Sequence, residues 1–299
     1  MIELPGKEGV LETPITMDET NIEIVRHYDG SNIQTVLFDF DGPLSKERDG
    51  WIDIMIECNS TALKGAVPTI SLDKAVELVS EDIQKTIGIP AYMQMERLAK
   101  MITDRGGIAA DTQKYKDDYN QKLVVMVSGL HKQIESGEIS HHQVRPDNVL
   151  NLLRYLKKHN PLLNLQIASG TDTDAVKDSV KILCLNFYFK DNSIIGSGST
   201  DDPKQCAKEL IIKKLTQQGL KAGELLCFED GFPGLLYTYQ ARGIGIGVLT
   251  PDVSKYENQF TLDEKRDRLI NGGAHIIVKD YTHASKLVEI IFKNSRDVF

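Results

Sequence analysis

The chain has 299 residues, 41% hydrophobic and 26% charged, with a formal net charge of −8. That length accommodates one large core or two domains. The acidic balance argues against a general binder of nucleic acid or anionic membrane. It leaves an anionic small-molecule partner open, because a local cation or a metal can outweigh the global field.

The opening residues, Met1–Pro14, contain no apolar run of signal-peptide length. No stretch of ~18 apolar residues exists to span a membrane. The four cysteines, Cys58, Cys184, Cys206 and Cys227, form no CxxC pair. They read as reduced thiols of a cytoplasmic protein rather than a disulfide framework or zinc site.

In chain order, residues 1–32 form an N-terminal arm with a short candidate strand near Ile22–His27. The sequence leaves open whether this arm packs on the core. Ile33–Phe40 is a continuous β-branched and aromatic run, the pattern of a fully buried parallel strand. It ends at Asp39-Phe40-Asp41-Gly42. Residues two apart on a strand share a face, so Asp39 and Asp41 converge where the strand stops. Two such carboxylates need a cation, a shared proton or open water. A solvated turn is the plainer alternative for a DxDG tetrapeptide.

Residues 45–143 show only helical periodicity. Four helices are expected: Trp51–Lys64, a segment from Leu72 to Ile87 capped by Ser71, Ala91–Arg105, and a long one from Tyr115 to Ile134. A hundred such residues are too many for a loop, and they should form a helical subdomain inserted in the core. Gln94 and Arg97 are assigned to an exposed helix face, and His131, His141 and His142 to a solvated end of this insert.

From residue 144 to 299 helix and strand alternate. Strands are expected at Leu163–Ala168, Leu185–Phe189, Leu225–Phe228, Ile244–Val248 and Ala274–Val278, with helices between them. Val253–Ile270 reads as a polar insertion with an exposed helix. The fold expected is therefore α/β: a Rossmann-like, mostly parallel sheet with helices on both faces, plus an all-helical inserted unit. The core comprises 33–44 and 144–299.

Three further stretches follow strand ends. Ser169-Gly170-Thr171-Asp172 offers a hydroxyl and backbone N–H groups to an anion, although helix capping by Thr171 or Asp172 would explain it equally. Glu229-Asp230-Gly231 is a second carboxylate pair. Neighbouring strands would bring Asp230 close to Asp39 and Asp41, a cluster that a hard divalent cation would stabilise, and Mg2+ suits oxygen ligands. Asp201-Asp202-Pro203-Lys204 supplies a lysine that could serve a phosphate.

In this order the four stretches resemble those of the haloacid dehalogenase superfamily, and the insert at 45–143 is similar to the helical cap of its phosphoglycolate phosphatase and β-phosphoglucomutase group. The resemblance covers about 33–295. It implies that Asp39 is a nucleophile forming a phosphoaspartate and that Asp41 is a general acid/base. Ser169, the Gly170 amide and Lys204 would bind phosphate. Asp39, the Asp41 carbonyl and Asp230 would hold Mg2+, with Glu229 as an outer partner or alternative ligand. Lys208, one turn along a helix from Lys204, is a competing assignment for the lysine. Pro43 and Gly170 depart from the family pattern, which commonly has Thr and Asn there. The function implied is a Mg2+-dependent phosphatase acting on a small phosphorylated metabolite, such as a sugar phosphate or phosphoglycolate. A sugar phosphomutase and a phosphonatase are the alternative enzymes, and a binding module without turnover is the non-enzyme alternative.

Overall fold

A computed structural model of the chain describes residues 5–17, 19–87, 89–197, 206–251, 254–255 and 261–297. The strand that ends in the paired aspartates is β3, Thr35–Phe38, preceded in the chain by β1, Val10–Thr16, and β2, Ile22–Arg26. The later strands are β4, Asn164–Asp172, β5, Ile194–Ser197, β6, Leu225–Glu229, β7, Ile244–Val248, and β8, Ile276–Val278. All eight join one sheet in the order β1-β2-β8-β7-β6-β3-β4-β5. From β8 to β5 the pairings are parallel, whereas β2 meets β8 and β1 meets β2 antiparallel.

β3 is buried along its whole length, which is why its four residues are all apolar or β-branched. Phe38 stacks on Phe228 of β6 with ring centroids 4.8 Å apart and meets Phe189 edge-on. Chain order reverses at β3: β4 and β5 lie to one side, and β6, β7 and β8 to the other. Such a reversal opens a crevice at the strands' carboxyl ends, where ligands of open α/β sheets bind.

Helices α1, Trp51–Ala66, α2, Leu72–Thr86, α3, Ala91–Thr103, and α4, Thr112–Glu135, occupy the expected insert. Ser71 caps α2 by accepting from the Lys74 amide at 3.1 Å, and Asp111 caps α4 through the Gln113 amide at 2.8 Å. Their apolar stripes meet in a cluster of their own that includes Met55, Leu63, Val79, Ile83, Met95, Leu98 and Ile102. The far end of α4 leaves that cluster, and Leu130 and Ile134 pack on the sheet's core instead.

The remaining helices are α5, Val149–His159, α6, Thr173–Ile182, α7, Ala207–Gln217, α8, Phe232–Gln240, α9, Leu262–Gly272, and α10, Ala284–Ile291. Two expectations need correction. The segment Leu185–Phe189 is a helical turn, with the Tyr188 and Phe189 amides donating to the Leu185 carbonyl; Leu185 and Phe189 bury themselves from that turn without pairing. The strand that follows is β5, shorter and later. The helix near 262 is not an exposed insertion, because α9 carries a Thr261/Glu264 capping box and buries Lys265, Leu269 and Ile270.

The N-terminal arm extends the sheet. Arg26, 2% exposed, donates to the carbonyls of Gly6, Glu8, Ile270 and Ala274, tying the arm to the end of α9. Among the described residues no helix is long and apolar enough to cross a membrane, and all four cysteines are free thiols.

Candidate functional site

The carboxyl ends of β3, β4 and β6 lie side by side, with Phe38 opposite Ile167 on one flank and Phe228 on the other. Asp39 leaves β3 with its amide still bonded to the Phe228 carbonyl at 2.9 Å. It therefore stands beside Glu229, the last residue of β6, and Asp230. One carboxylate oxygen from each of Asp39, Glu229 and Asp230 lies within 4.8 Å of the others.

The chain then turns tightly at Gly42, whose φ of +90° favours glycine. A Cβ there would fall 2.5 Å from Asp230 Oδ2 and 3.1 Å from Thr250 Oγ1. Gly234 is equally constrained, since its Cβ would fall 1.8 Å from Glu229 Oε1. The two glycines let the two carboxylates occupy these places. Pro43 keeps a partner at its carbonyl, which accepts from the buried Tyr281 hydroxyl at 3.1 Å.

Lys208, on α7, reaches this cluster. Its Nζ lies 2.7 Å from Asp39 Oδ2 and 2.9 Å from Glu229 Oε1. Burial works to lower its pKa, but the two carboxylates outweigh burial and hold it well above the ordinary lysine value. Burial pushes Asp39 up to about 6, with Lys208 opposing and Asp230 and Asp41 adding to the rise. Burial, then Asp39, pushes Glu229 well above the carboxylate range. One ammonium thus serves two buried carboxylates, with the third, Asp230, adjacent. Glu229 Oε2 is buried without a hydrogen-bond donor. An all-oxygen, electron-rich set of this kind fits a hard divalent cation such as Mg2+.

Asp41 accepts from three donors: Arg48 Nη1 at 2.9 Å, Thr171 Oγ1 at 3.1 Å and Ser169 Oγ at 3.5 Å. Ser169 is fully buried and its hydroxyl also accepts from the Thr171 amide at 3.1 Å. Gly170, at the end of β4, is exposed and lines the adjoining cavity. Asp230 accepts from Thr250 Oγ1 at 2.8 Å and from Lys265 Nζ at 3.2 Å.

Of the residues singled out in the sequence, Asp39, Asp41, Ser169, Gly170, Glu229 and Asp230 gather at this one rim. Lys204 lies outside the described residues; Lys208 pairs with Asp39 and Glu229. Gln94 corrects another expectation: it is 4% exposed, and its Nε2 donates to the Thr86 carbonyl. His131 faces the buried Glu47 and so departs from its assignment to a solvated end, whereas His142 is exposed as expected and accepts from Arg145 Nη2 at 2.6 Å. Thr171, read in the sequence as a candidate helix cap, donates to Asp41 instead. Three partners escaped sequence reasoning, Arg48, Thr250 and Lys265, which approach from loops or helices with no local mark.

A cavity of about 640 Å³ opens above the cluster, between the sheet rim and α1, α3 and α4. Its floor includes Asp39, Asp41, Gly170, Lys208 and Asp230.

Residues 33–254 match the haloacid dehalogenase-like hydrolase family. No curated protein matches the chain. Among solved structures, a predicted phosphatase from Clostridium acetobutylicum is 18% identical with a TM-score of 0.54, covering 87% of this chain and 100% of its own. A predicted phosphoglycolate phosphatase from Haemophilus somnus is 15% identical with a TM-score of 0.53, covering 87% and 98%. A family IA, variant 3 hydrolase from Entamoeba histolytica is 17% identical with a TM-score of 0.54, covering 86% and 100%. At these identities the likeness is one of fold.

Proposed function

The chain belongs to the haloacid dehalogenase-like hydrolases, and from that premise we propose that it is a Mg2+-dependent phosphatase of small phosphomonoesters. The observation that carries this reading is the Asp39–Glu229–Asp230 cluster, its two buried members Asp39 and Glu229 bridged by Lys208, beneath a cavity roofed by α1, α3 and α4.

In this reading Asp39 is the nucleophile. A carboxylate oxygen forms a bond to phosphorus as the bond from phosphorus to the alcohol oxygen breaks. Asp41 gives its proton to that departing oxygen, held in place by Arg48 and Thr171. The resulting aspartyl phosphate is hydrolysed when Asp41 takes a proton from water, which attacks phosphorus and frees phosphate and the Asp39 carboxylate. The Gly170 amide and Lys208, which line the cavity, are assigned to the phosphate oxygens, Lys208 on the strength of its contact with Asp39, and Ser169 would join them by releasing Asp41. Asp39, Asp230 and the Asp41 carbonyl would hold Mg2+, with Glu229 beside them. The ion, when bound, offsets the negative charge on the transferring phosphoryl group. Helices α1–α4 act as a cap that excludes bulk water and contacts the alcohol.

Incubating the protein with p-nitrophenyl phosphate and Mg2+ tests the reading. Phosphate release is expected, abolished by EDTA and restored by excess Mg2+. Asp39→Asn should reduce it at least about a thousandfold, with an unchanged circular dichroism spectrum. Turnover by that variant at the wild-type rate overturns the mechanism.

A further inference from the structure

The two ends of the cavity differ in chemistry. At the floor the charged groups are already engaged with one another: Arg48 with Asp41, and Lys208 with Asp39 and Glu229. The opposite wall comes from the helical insert and is apolar at its centre, where Trp51, Met55, Ile89, Tyr92, Leu123 and Val127 line it. These belong to α1, the approach to α3, α3 itself and the middle of α4. The polar members of the α4 stripe flank that apolar centre, Lys116 and Asn120 toward its N-terminal end and Ser128 and His131 toward its C-terminal end, where His131 is already engaged by Glu47. Val124, also lining the cavity, is 59% exposed.

We propose that the alcohol carried by the substrate is bulky and mainly apolar, so that medium-chain alkyl and benzyl-type phosphates are preferred over glycolate or sugar phosphates. The inference rests on the phosphatase reading, which fixes the phosphate at the floor and leaves the wall to the alcohol. The cavity's size lies within the range of about 300–1,000 Å³ that encloses drug-sized ligands. A two-carbon acid would leave most of it as water against an apolar wall. A sugar would bring several hydroxyls to that wall, each costing about tenfold in affinity if unpaired. Gln94 does not relieve that cost: its Nε2 is fixed on the Thr86 carbonyl and its Oε1 is closed off from solvent. An alcohol with an apolar body matches the centre of the wall.

The test is a series of primary phosphomonoesters, whose leaving groups are alike, so that chemistry stays nearly constant while the alcohol changes. Ethyl, butyl, hexyl and benzyl phosphate are compared with glycerol 3-phosphate, glucose 6-phosphate and phosphoglycolate, with kcat/KM read from released phosphate. The expected rise is about fourfold per methylene moved from water to the wall. Hexyl phosphate should exceed glucose 6-phosphate by about a hundredfold or more. Val124→Asp, at an exposed position that leaves folding intact, should lower the hexyl-to-ethyl ratio by about tenfold. A flat alkyl series, or a preference for glycolate or sugar phosphates, overturns the proposal and leaves the phosphatase reading standing. Absence of phosphate release from every ester overturns both.

Discussion

Replacing Lys208 by Met separates what the ammonium does for stability from what it does for turnover. Met keeps most of the alkyl volume and removes the charge that stands 2.7 Å from Asp39 and 2.9 Å from Glu229. At an effective dielectric of about 20, each contact represents an attraction on the order of 6 kcal/mol. Stripping water from three charged groups consumes most of it. What the substitution leaves behind is a pair of buried carboxylates without a counter-charge, for which the expected loss is about 3–5 kcal/mol. Asp39 and Glu229 both have folded pKa values raised above their unfolded ones. A carboxylate of that kind destabilises increasingly as pH rises through its folded pKa, and the variant pushes both values further up. The deficit should therefore be largest near pH 8 and shrink toward pH 5, where the carboxylates take up protons. Urea unfolding at the two pH values, without added metal, reads it directly. Adding Glu229→Gln to the variant removes the uncompensated charge and should recover most of the stability at pH 8. Phosphate release should stay at least about a hundredfold down in both variants, because a donor aimed at the transferring group is gone. A single variant as stable as wild type at pH 8, or a double variant no more stable than the single, would refute the reasoning.

Gly42→Ala should cost about 1–3 kcal/mol through its positive φ and displace Asp230, since its Cβ falls 2.5 Å from Asp230 Oδ2; thermal melts and a Mg2+ titration monitored by calorimetry would register weaker metal binding, and unaltered affinity would count against that role of the turn. Thr171→Val removes one of three donors to Asp41, so kcat should fall about tenfold with KM little changed, as steady-state kinetics can decide. His275 is held down to about 4, first by burial and then by Arg26, and its Nδ1 accepts from the Gly245 amide at 3.1 Å. Its protonation in the unfolded chain should lower stability as pH falls from about 6.5 toward 4, by up to about 3 kcal/mol. Denaturant melts across that window should show a flatter profile for His275→Gln.

The strands that carry the site were legible because burial leaves a strong local mark. β3, β6 and β7 are continuous apolar runs that stop at polar residues, and a run of that kind has few other readings. Asp39, Ser169 and Glu229 announce themselves by position, each at or just past such a stop. The helices of the insert were legible for the same reason at a different period. Partners contributed by other segments were not. Arg48 is a charged residue before a helix, a commonplace in sequence, and only the fold brings its guanidinium to Asp41. Lys265 reads as surface decoration on a polar helix. Its burial depends on α9 docking against the sheet through Leu269 and Ile270, a tertiary event without local signature. Leu185–Phe189 failed in the opposite sense. Its residues are as apolar as a strand's, but they are buried from a turn, and periodicity over five residues cannot separate the two.

The register of the central strands explains how residues far apart in sequence form one site without a long-range contact designed for each. Phe38 is level with both Ile167 and Phe228. One residue on, Asp39 is level with Glu229; the next pair of positions brings Asp41 and Ser169 to the same rim. In a parallel sheet every strand presents its carboxyl end to the same side, so polar residues that end three adjacent strands must converge. A slip of one residue between β3 and β6 would turn Glu229 to the opposite face and leave Asp39 without its neighbour. The stacked Phe38–Phe228 pair, 4.8 Å between centroids, opposes that slip, because either ring would lose its partner and meet the other helix layer. Packing one residue below the carboxylates thereby sets their spacing, and chemistry at the rim inherits its geometry from apolar contacts in the core.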